Sequence, residues 1–234
     1  MSQTDPKALP IRDAATVIAL RRRAGQREVL MGQRGAGAVF MPMKFVFPGG
    51  AVDPGDAEVA LAAPISAPCA ARLDLDAPEG ASRALAAAAI RELWEETGLV
   101  LGRPGTWPDA PTDWQGFAAT GHLPDASALR FVFRAVTPPG RPRRFDARFF
   151  TLDADQAIAG DLEDFSAASD ELSHLQWIPL PEVRRFDLPF ITEVVLAEVA
   201  ARDSAEAPET VPYFTQDDEA QLFHRLGGTS PLTF

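Results

Sequence analysis

Lysine is almost absent from this chain: Lys7 and Lys44 are the only two, and all other basic residues are arginines. Cysteine occurs once, at Cys69, so no intrachain disulfide can form. The three histidines, His122, His174 and His224, stand far apart, which argues strongly against a zinc site built from histidine and cysteine. No apolar run is long enough to cross a bilayer, and Met1–Pro10 lacks the apolar centre of a signal peptide. Positive charge is scarce as well. Lys plus Arg number 22 against 33 Asp plus Glu, a formal charge of −11 over 234 residues. Such a chain has no broad cationic field with which to hold duplex nucleic acid. The expectation is a cytoplasmic protein with no membrane or nucleic-acid partner, in which metal chemistry must rest on carboxylates. The remainder is ordinary: 46% hydrophobic and 24% charged residues are globular values, at a length that can bury a core unaided.

Ala14–Leu20 is a compact apolar run that reads as a buried strand. A basic turn, Arg21-Arg22-Arg23-Ala24-Gly25, then leads to a hairpin partner at Val29–Met31. Phe45–Phe47 runs into Pro48-Gly49-Gly50. Asp53–Ala81 is rich in Ala, Pro and Asp, and Pro64, Pro68 and Pro78 forbid a long helix, so the segment reads as an insertion rather than framework. Arg83–Thr97 is the strongest helix, with Asp76 and Ser82 as candidate caps and Gly98 as its stop. Leu99 and Val100 then start a strand. Leu129–Val136, Ala147–Leu152 and Gln176–Leu180 read as strands from their β-branched and aromatic content. Glu182–Arg185 and Phe190–Arg202 read as helices. After a polar spacer, Asp203–Thr210, the stretch Asp217–Leu226 reads as a last short helix. Strands mixed with helices in no strict alternation predict a mixed-sheet α/β or α+β fold.

The informative segment is Arg91-Glu92-Leu93-Trp94-Glu95-Glu96-Thr97-Gly98-Leu99. Glu92, Glu95 and Glu96 stand at i, i+3 and i+4, which places three carboxylates on one helical stripe. Leu93 and the alanines face elsewhere and can pack. No helix gains stability from three adjacent negative charges, and hard divalent cations such as Mg²⁺ or Mn²⁺ would relieve the repulsion through oxygen ligands. Arg91, beside Glu92 and four before Glu95, can hold a carboxylate in orientation. Glu95 and Glu96 are both expected to be exposed.

This segment resembles the second half of the Nudix box: Gly, five residues, Glu, seven residues, then Arg-Glu-aliphatic-x-Glu-Glu-x-Gly-aliphatic. Phe47-Pro48-Gly49-Gly50 is similar to the strand that leads into the box, with Gly50 as the box glycine. Arg91 follows Gly50 by 41 positions, 27 more than in the uninterrupted pattern. The position of the first glutamate, eight before Arg91, holds Arg83. Counting forward from Gly50 gives Asp56 instead. Candidates for the carboxylate that partners Arg91 are Asp56, Asp53 and Glu79, in that order. The interrupted box, together with Met41-Pro42, Asp53, Thr137-Pro138 and Arg144-Phe145-Asp146-Ala147-Arg148-Phe149-Phe150, resembles a subgroup that includes coenzyme A diphosphatases of animal organelles.

The resemblance implies an α/β/α sandwich around a mixed β-sheet, with a loop–helix–loop catalytic motif. It further implies one domain over 1–234, with a core at about 12–202, a box insertion at about 57–82 and a C-terminal extension over 203–234. The implied reaction is hydrolysis of a phosphoanhydride in a nucleoside diphosphate linked to another group. A coenzyme A-type small molecule is the first substrate; ADP-ribose, a dinucleotide, or a non-catalytic nucleotide sensor are the alternatives. Implied metal ligands for Mg²⁺ or Mn²⁺ are Glu92, Glu95, Glu96 and the Gly50 carbonyl. Glu92 can also orient or deprotonate water, Arg91 orients, and Glu171, favoured over Asp170, is a further acid outside the box. Arg34, Lys44 and Arg144 are the substrate-binding candidates, with ion pairing to Asp146 the expected use of the Arg144–Arg148 cluster. A homodimer is an expected assembly.

Overall fold

In the computed structural model, residues 9–202, 208–217 and 220–226 are described. Most of Met1–Pro10, part of the Asp203–Thr210 spacer and the side chain of His224 therefore lie outside the description. The chain runs through β1 (Ile11–Arg23), β2 (Gln26–Arg34), β3 (Phe45–Val46), β4 (Gly49–Ala51), a 3-10 turn (Pro54–Glu58), α1 (Ala67–Leu73) and α2 (Ala81–Thr97). It continues through β5 (Val100–Pro104), α3 (Gln115–Ala119), β6 (His122–Pro124), β7 (Arg130–Val136), β8 (Arg144–Asp153), α4 (Ala154–Ala157) and β9 (Ile158–Ala159). The last elements are β10 (Leu172–Pro179), α5 (Phe190–Ala200), β11 (Val211–Asp217) and β12 (Ala220–Leu226).

Among the described residues the main sheet has nine strands, in the order β10-β2-β1-β8-β7-β11-β12, with β3 beside β2 and β4 beside β1. It is mixed: β1 and β8 run parallel, as do β7 and β11, whereas β1–β2 and β7–β8 are antiparallel. β1 is buried on both faces because its side chains alternate between two apolar clusters. Ala15, Val17 and Ala19 face the cluster that holds α1 and α2, and Ile18 faces the cluster that holds Val195, Leu196 and Val199 of α5. The expected α/β mixed-sheet sandwich is what forms. A smaller sheet, β6-β5-β9, follows α2. No helix among the described residues is long and apolar enough to cross a membrane.

Several local expectations need correction. Arg21, Arg22 and Arg23 belong to β1, and the turn is only Ala24-Gly25, with both residues at positive φ. α2 begins at Ala81 with Gly80 as N-cap at φ +77°, so Asp76 and Ser82 are not its caps. Asp74 takes that part, accepting the Ser82 N–H at 2.9 Å. The insertion is not mere decoration: its Val59, Ile65, Cys69 and Leu73 are buried in the core under α2. The described residues of Asp217–Leu226 are strand and not helix: β12 pairs antiparallel with β11, which itself pairs with β7. The aromatic and β-branched residues of Val211–Thr215 find a strand partner in β7, and β12 follows that hairpin register.

α2 carries the site because of its small side chains. Ala86, Ala87, Ala88 and Ala89 are fully buried, so the helix lies close over β1 and β4. Gly98 ends it at φ +74°, returning its N–H to the Trp94 carbonyl at 2.7 Å.

Candidate active site

β4 lies at the edge of β1, with Gly49 opposite Thr16 and Gly50 opposite Ala15. A Cβ on Gly49 would stand 2.5 Å from the Ala15 carbonyl oxygen, so only glycine lets the strand come this near. The approach brings β4 under the C-terminal half of α2. There the Gly49 N–H donates to Glu96 Oε2 at 2.7 Å. Glu96 is 1% exposed, against the expectation of an exposed side chain, and its Oε1 is buried with no partner. The expectation of exposure fails because the glycine strand closes over this turn of the helix. Glu95, by contrast, is half-exposed.

Arg91 organises the other carboxylates. Its Nε and Nη2 donate to the two oxygens of Asp56, both at 2.9 Å, a fork-to-fork pair buried on each side. Nη2 also reaches the Ala51 carbonyl at 3.0 Å. Nη1 bridges Glu92 Oε1 at 2.9 Å and Glu95 Oε2 at 3.0 Å. Of the three candidate partners, Asp56 is the one that pairs. Asp53 is half-exposed at 3.7 Å. Glu79 is exposed before the start of α2, at the opposite end from Arg91.

Burial pushes the Glu92 carboxyl up to about 7; the Arg91 charge opposes this, and Glu95 and Glu171 add to it by repulsion. Burial pushes Glu96 further, to about 8, against the Gly49 N–H, with Glu92 and Glu171 again repelling and Arg34 opposing. Burial raises Glu95 too, and Asp113 and Asp56 add to it. For Arg91, burial works against the charge, but the Asp56 hydrogen bond and its acidic neighbours outweigh it and raise the pKa.

The segment after β9 docks on the end of α2, where the Ser169 N–H donates to the Glu95 carbonyl at 2.7 Å. It delivers Glu171, exposed, within electrostatic reach of both Glu92 and Glu96. Arg34 ends β2 on the face that carries Leu30 and α2, and its Nε is buried without a hydrogen-bond partner. Lys44 is ion-paired with Asp187. Arg144 donates to the Thr137 carbonyl at 3.2 Å, opposite Ile11 and four residues along β1 from Ala15. Arg148 is 1% exposed and pairs with Asp13 and Asp146, in line with the ion-pairing expectation, but the second arginine on Asp146 is Arg134 rather than Arg144. Cys69 is buried and its sulfur accepts the Phe131 N–H. Asp113, whose charge adds to the repulsion at Glu95, carries no sequence signal because its turn lacks periodicity.

Among the described residues no three carboxylate, histidine or cysteine side chains close on one point as a finished cage, since Glu92 and Glu95 are turned toward Arg91. The donor set nevertheless fits a hard divalent ion. It is all oxygen, and it includes the partnerless buried Glu96 Oε1 and two carboxyls whose ionisation burial opposes.

No family model matches the chain. It is similar to the inferred nudix hydrolase 7 of Caenorhabditis elegans, 30% identical over an alignment of 180 positions that covers 71% of this chain. The match spans about half of that relative, 51% of its length. Among solved structures it is similar to a NUDIX hydrolase from Alicyclobacillus acidocaldarius, at 30% identity and a TM-score of 0.62, covering 83% of this chain and 93% of the other.

Proposed function

The chain belongs to the Nudix hydrolases, and from that premise we propose that it cleaves a phosphoanhydride in a nucleoside diphosphate linked to another group. The observation that carries this reading is the close approach of β4 to α2. Glu96 is clamped to the Gly49 N–H with one oxygen left over, and Glu92 is packed directly on Gly50. Glu92, Glu95, Glu96 and the Gly50 carbonyl would hold Mg²⁺ or Mn²⁺. When bound, such an ion would set positive charge against the diphosphate oxygens and make water easier to deprotonate.

The protein's own groups do the rest. Arg91 keeps Glu92 and Glu95 at a fixed spacing from one guanidinium nitrogen. Glu92 orients the attacking water and takes its proton, a task suited to a carboxyl poised near neutrality. Glu171, exposed and facing Glu92 and Glu96, is the second candidate base. The water oxygen bonds to one phosphorus, the bond from that phosphorus to the bridging oxygen breaks, and the bridging oxygen leaves on the other phosphate. Arg34 is the best placed phosphate contact, since its buried Nε–H has no partner. Lys44 and Arg144 would have to leave Asp187 and the Thr137 carbonyl to join it.

A coenzyme A-type substrate is favoured by the interrupted box and by the Thr137-Pro138 and Arg144–Phe150 motifs. The test is a hydrolysis panel in Mg²⁺ and in Mn²⁺ over coenzyme A, ADP-ribose, dinucleotides and nucleoside triphosphates, with product masses. Cleavage of coenzyme A to 3′-phospho-AMP and phosphopantetheine is the expected result. Preferred cleavage of ADP-ribose or a dinucleotide would move the substrate, and no cleavage of any member would overturn the reaction class.

A further inference from the structure

Arg83 stands eight residues before Arg91, two turns back along α2. Its guanidinium does not face the carboxylates. Nε and Nη2 both donate to the Val59 carbonyl, at 3.1 and 2.8 Å, and Nη2 reaches the Glu58 carbonyl at 3.4 Å. These carbonyls lie at the C-terminal end of the Pro54–Glu58 turn, where a cation is a favourable cap. Val59 itself is 1% exposed, so the clamped peptide is anchored in the core.

The same turn holds Asp56 at its centre. The Asp53 N–H donates to Asp56 Oδ2 at 2.8 Å, and the Val59 N–H closes on the Asp56 carbonyl at 3.4 Å. The turn is thus pinned to one helix at two places, by Arg83 at its end and by Arg91 at its middle. Arg91 has only Nη1 for Glu92 and Glu95, and the plane of that nitrogen is set by the two-point contact with Asp56. Any slide of the turn along α2 would tilt Arg91 and separate the two glutamates.

We propose that Arg83 is a positioning residue: by clamping the Val59 carbonyl it holds Asp56 square against Arg91 and so sets the spacing of Glu92 and Glu95. The last link of this chain rests on the functional reading above; the clamp does not. The arrangement also accounts for an arginine at the position where the uninterrupted pattern has a glutamate. Asp56 delivers the carboxylate from just ahead of the insertion, and the position eight before Arg91 serves to hold the start of that insertion in place.

The test uses the full chain with Arg83→Met and Arg83→Lys, and with Arg27→Met as a control. Arg27 makes comparable contacts elsewhere, donating to the Arg202 and Val199 carbonyls at the end of α5. The first readout needs no metal: the exchange rate of the Arg91 Nε–H with water, followed by NMR. Arg83→Met should speed it about tenfold, the equivalent of one net charge-assisted hydrogen bond, and Arg83→Lys should fall between. Arg27→Met should lower Tm and leave the exchange unchanged. An unchanged rate in Arg83→Met, or equal acceleration in Arg27→Met, overturns the clamp. The second readout is Mn²⁺ affinity by titration, which Arg83→Met should weaken several-fold and Arg27→Met should not. If the wild-type chain failed to bind Mn²⁺, the functional reading and the last link would both fall, while the exchange result would still decide the clamp.

Discussion

The Glu92 carboxylate fills the space that a side chain at Gly50 would need: a Cβ there would lie 2.5 Å from both of its oxygens. The two residues are 42 positions apart in the sequence and come together because β4 pairs with β1 under α2. Gly50→Ala must push Glu92 aside or lift β4. The fold should survive with a loss of roughly 1–3 kcal/mol, while hydrolysis falls far more steeply. Thermal unfolding set beside kcat reads both, and near wild-type turnover would show that the contact is incidental.

Glu96→Gln separates catalysis from stability. A neutral amide keeps the shape, and its oxygen can still accept the Gly49 N–H, but it removes the buried charge. Turnover should drop by about two orders of magnitude or more, in the range for loss of a principal electrostatic group. Metal-free stability at pH 9 should rise, because the wild-type side chain must ionise there against burial. A destabilised variant at that pH would contradict the account of Glu96.

The pH dependence follows from the same burial. Folded Glu92 and Glu96 hold their protons up to about 7 and about 8, well above the ordinary 4.5. The folded state therefore binds more protons than the unfolded chain across that window. The stabilisation is full below the ordinary value and is lost as pH rises through 7 and 8. At about 1.4 kcal/mol per pKa unit, two shifts of this size should together cost several kcal/mol between pH 5 and pH 9. Urea unfolding in EDTA measures it. Mg²⁺ at pH 9 should restore most of the loss, and a flat profile in EDTA would remove the basis for the raised carboxyls.

Asp56→Asn leaves the Arg91 charge buried with its two-point partner gone. A loss of about 3 kcal/mol is expected, as for other broken buried pairs. Asp53→Asn, half-exposed and farther away, should cost no more than about 0.5 kcal/mol. Denaturant midpoints for the two variants would expose a misassigned partner if their order were reversed.

Much of this site can be read in the sequence because it is local. The i, i+3, i+4 glutamates and the Gly98 stop follow from helical period, and a count forward from Gly50 reaches Asp56. What escapes is set by approach in space. The burial of Glu96 depends on how near Gly49 comes to Ala15, and the Gly80 cap depends on a left-handed residue beside two side chains, Asp76 and Ser82, of the usual capping type. Asp217–Leu226 is too short and mixed to declare its period, and its strand character comes from pairing with β11 beside β7. The clamp from Arg83 to Val59 spans 24 residues and has no sequence signature.

In the proposed reaction the Glu92–Glu95–Glu96 face works through a divalent ion to break a phosphoanhydride. The most direct measurement compares wild type with Glu95→Gln, the half-exposed member whose change should leave the fold intact. Hydrolysis is followed over the nucleotide panel in Mg²⁺, in Mn²⁺ and in EDTA. The wild type should release two phosphorylated products only when metal is present, and Glu95→Gln should lose at least about a hundredfold in turnover with an unchanged Tm. Equal turnover by the two proteins, or undiminished turnover in EDTA, would contradict the claim.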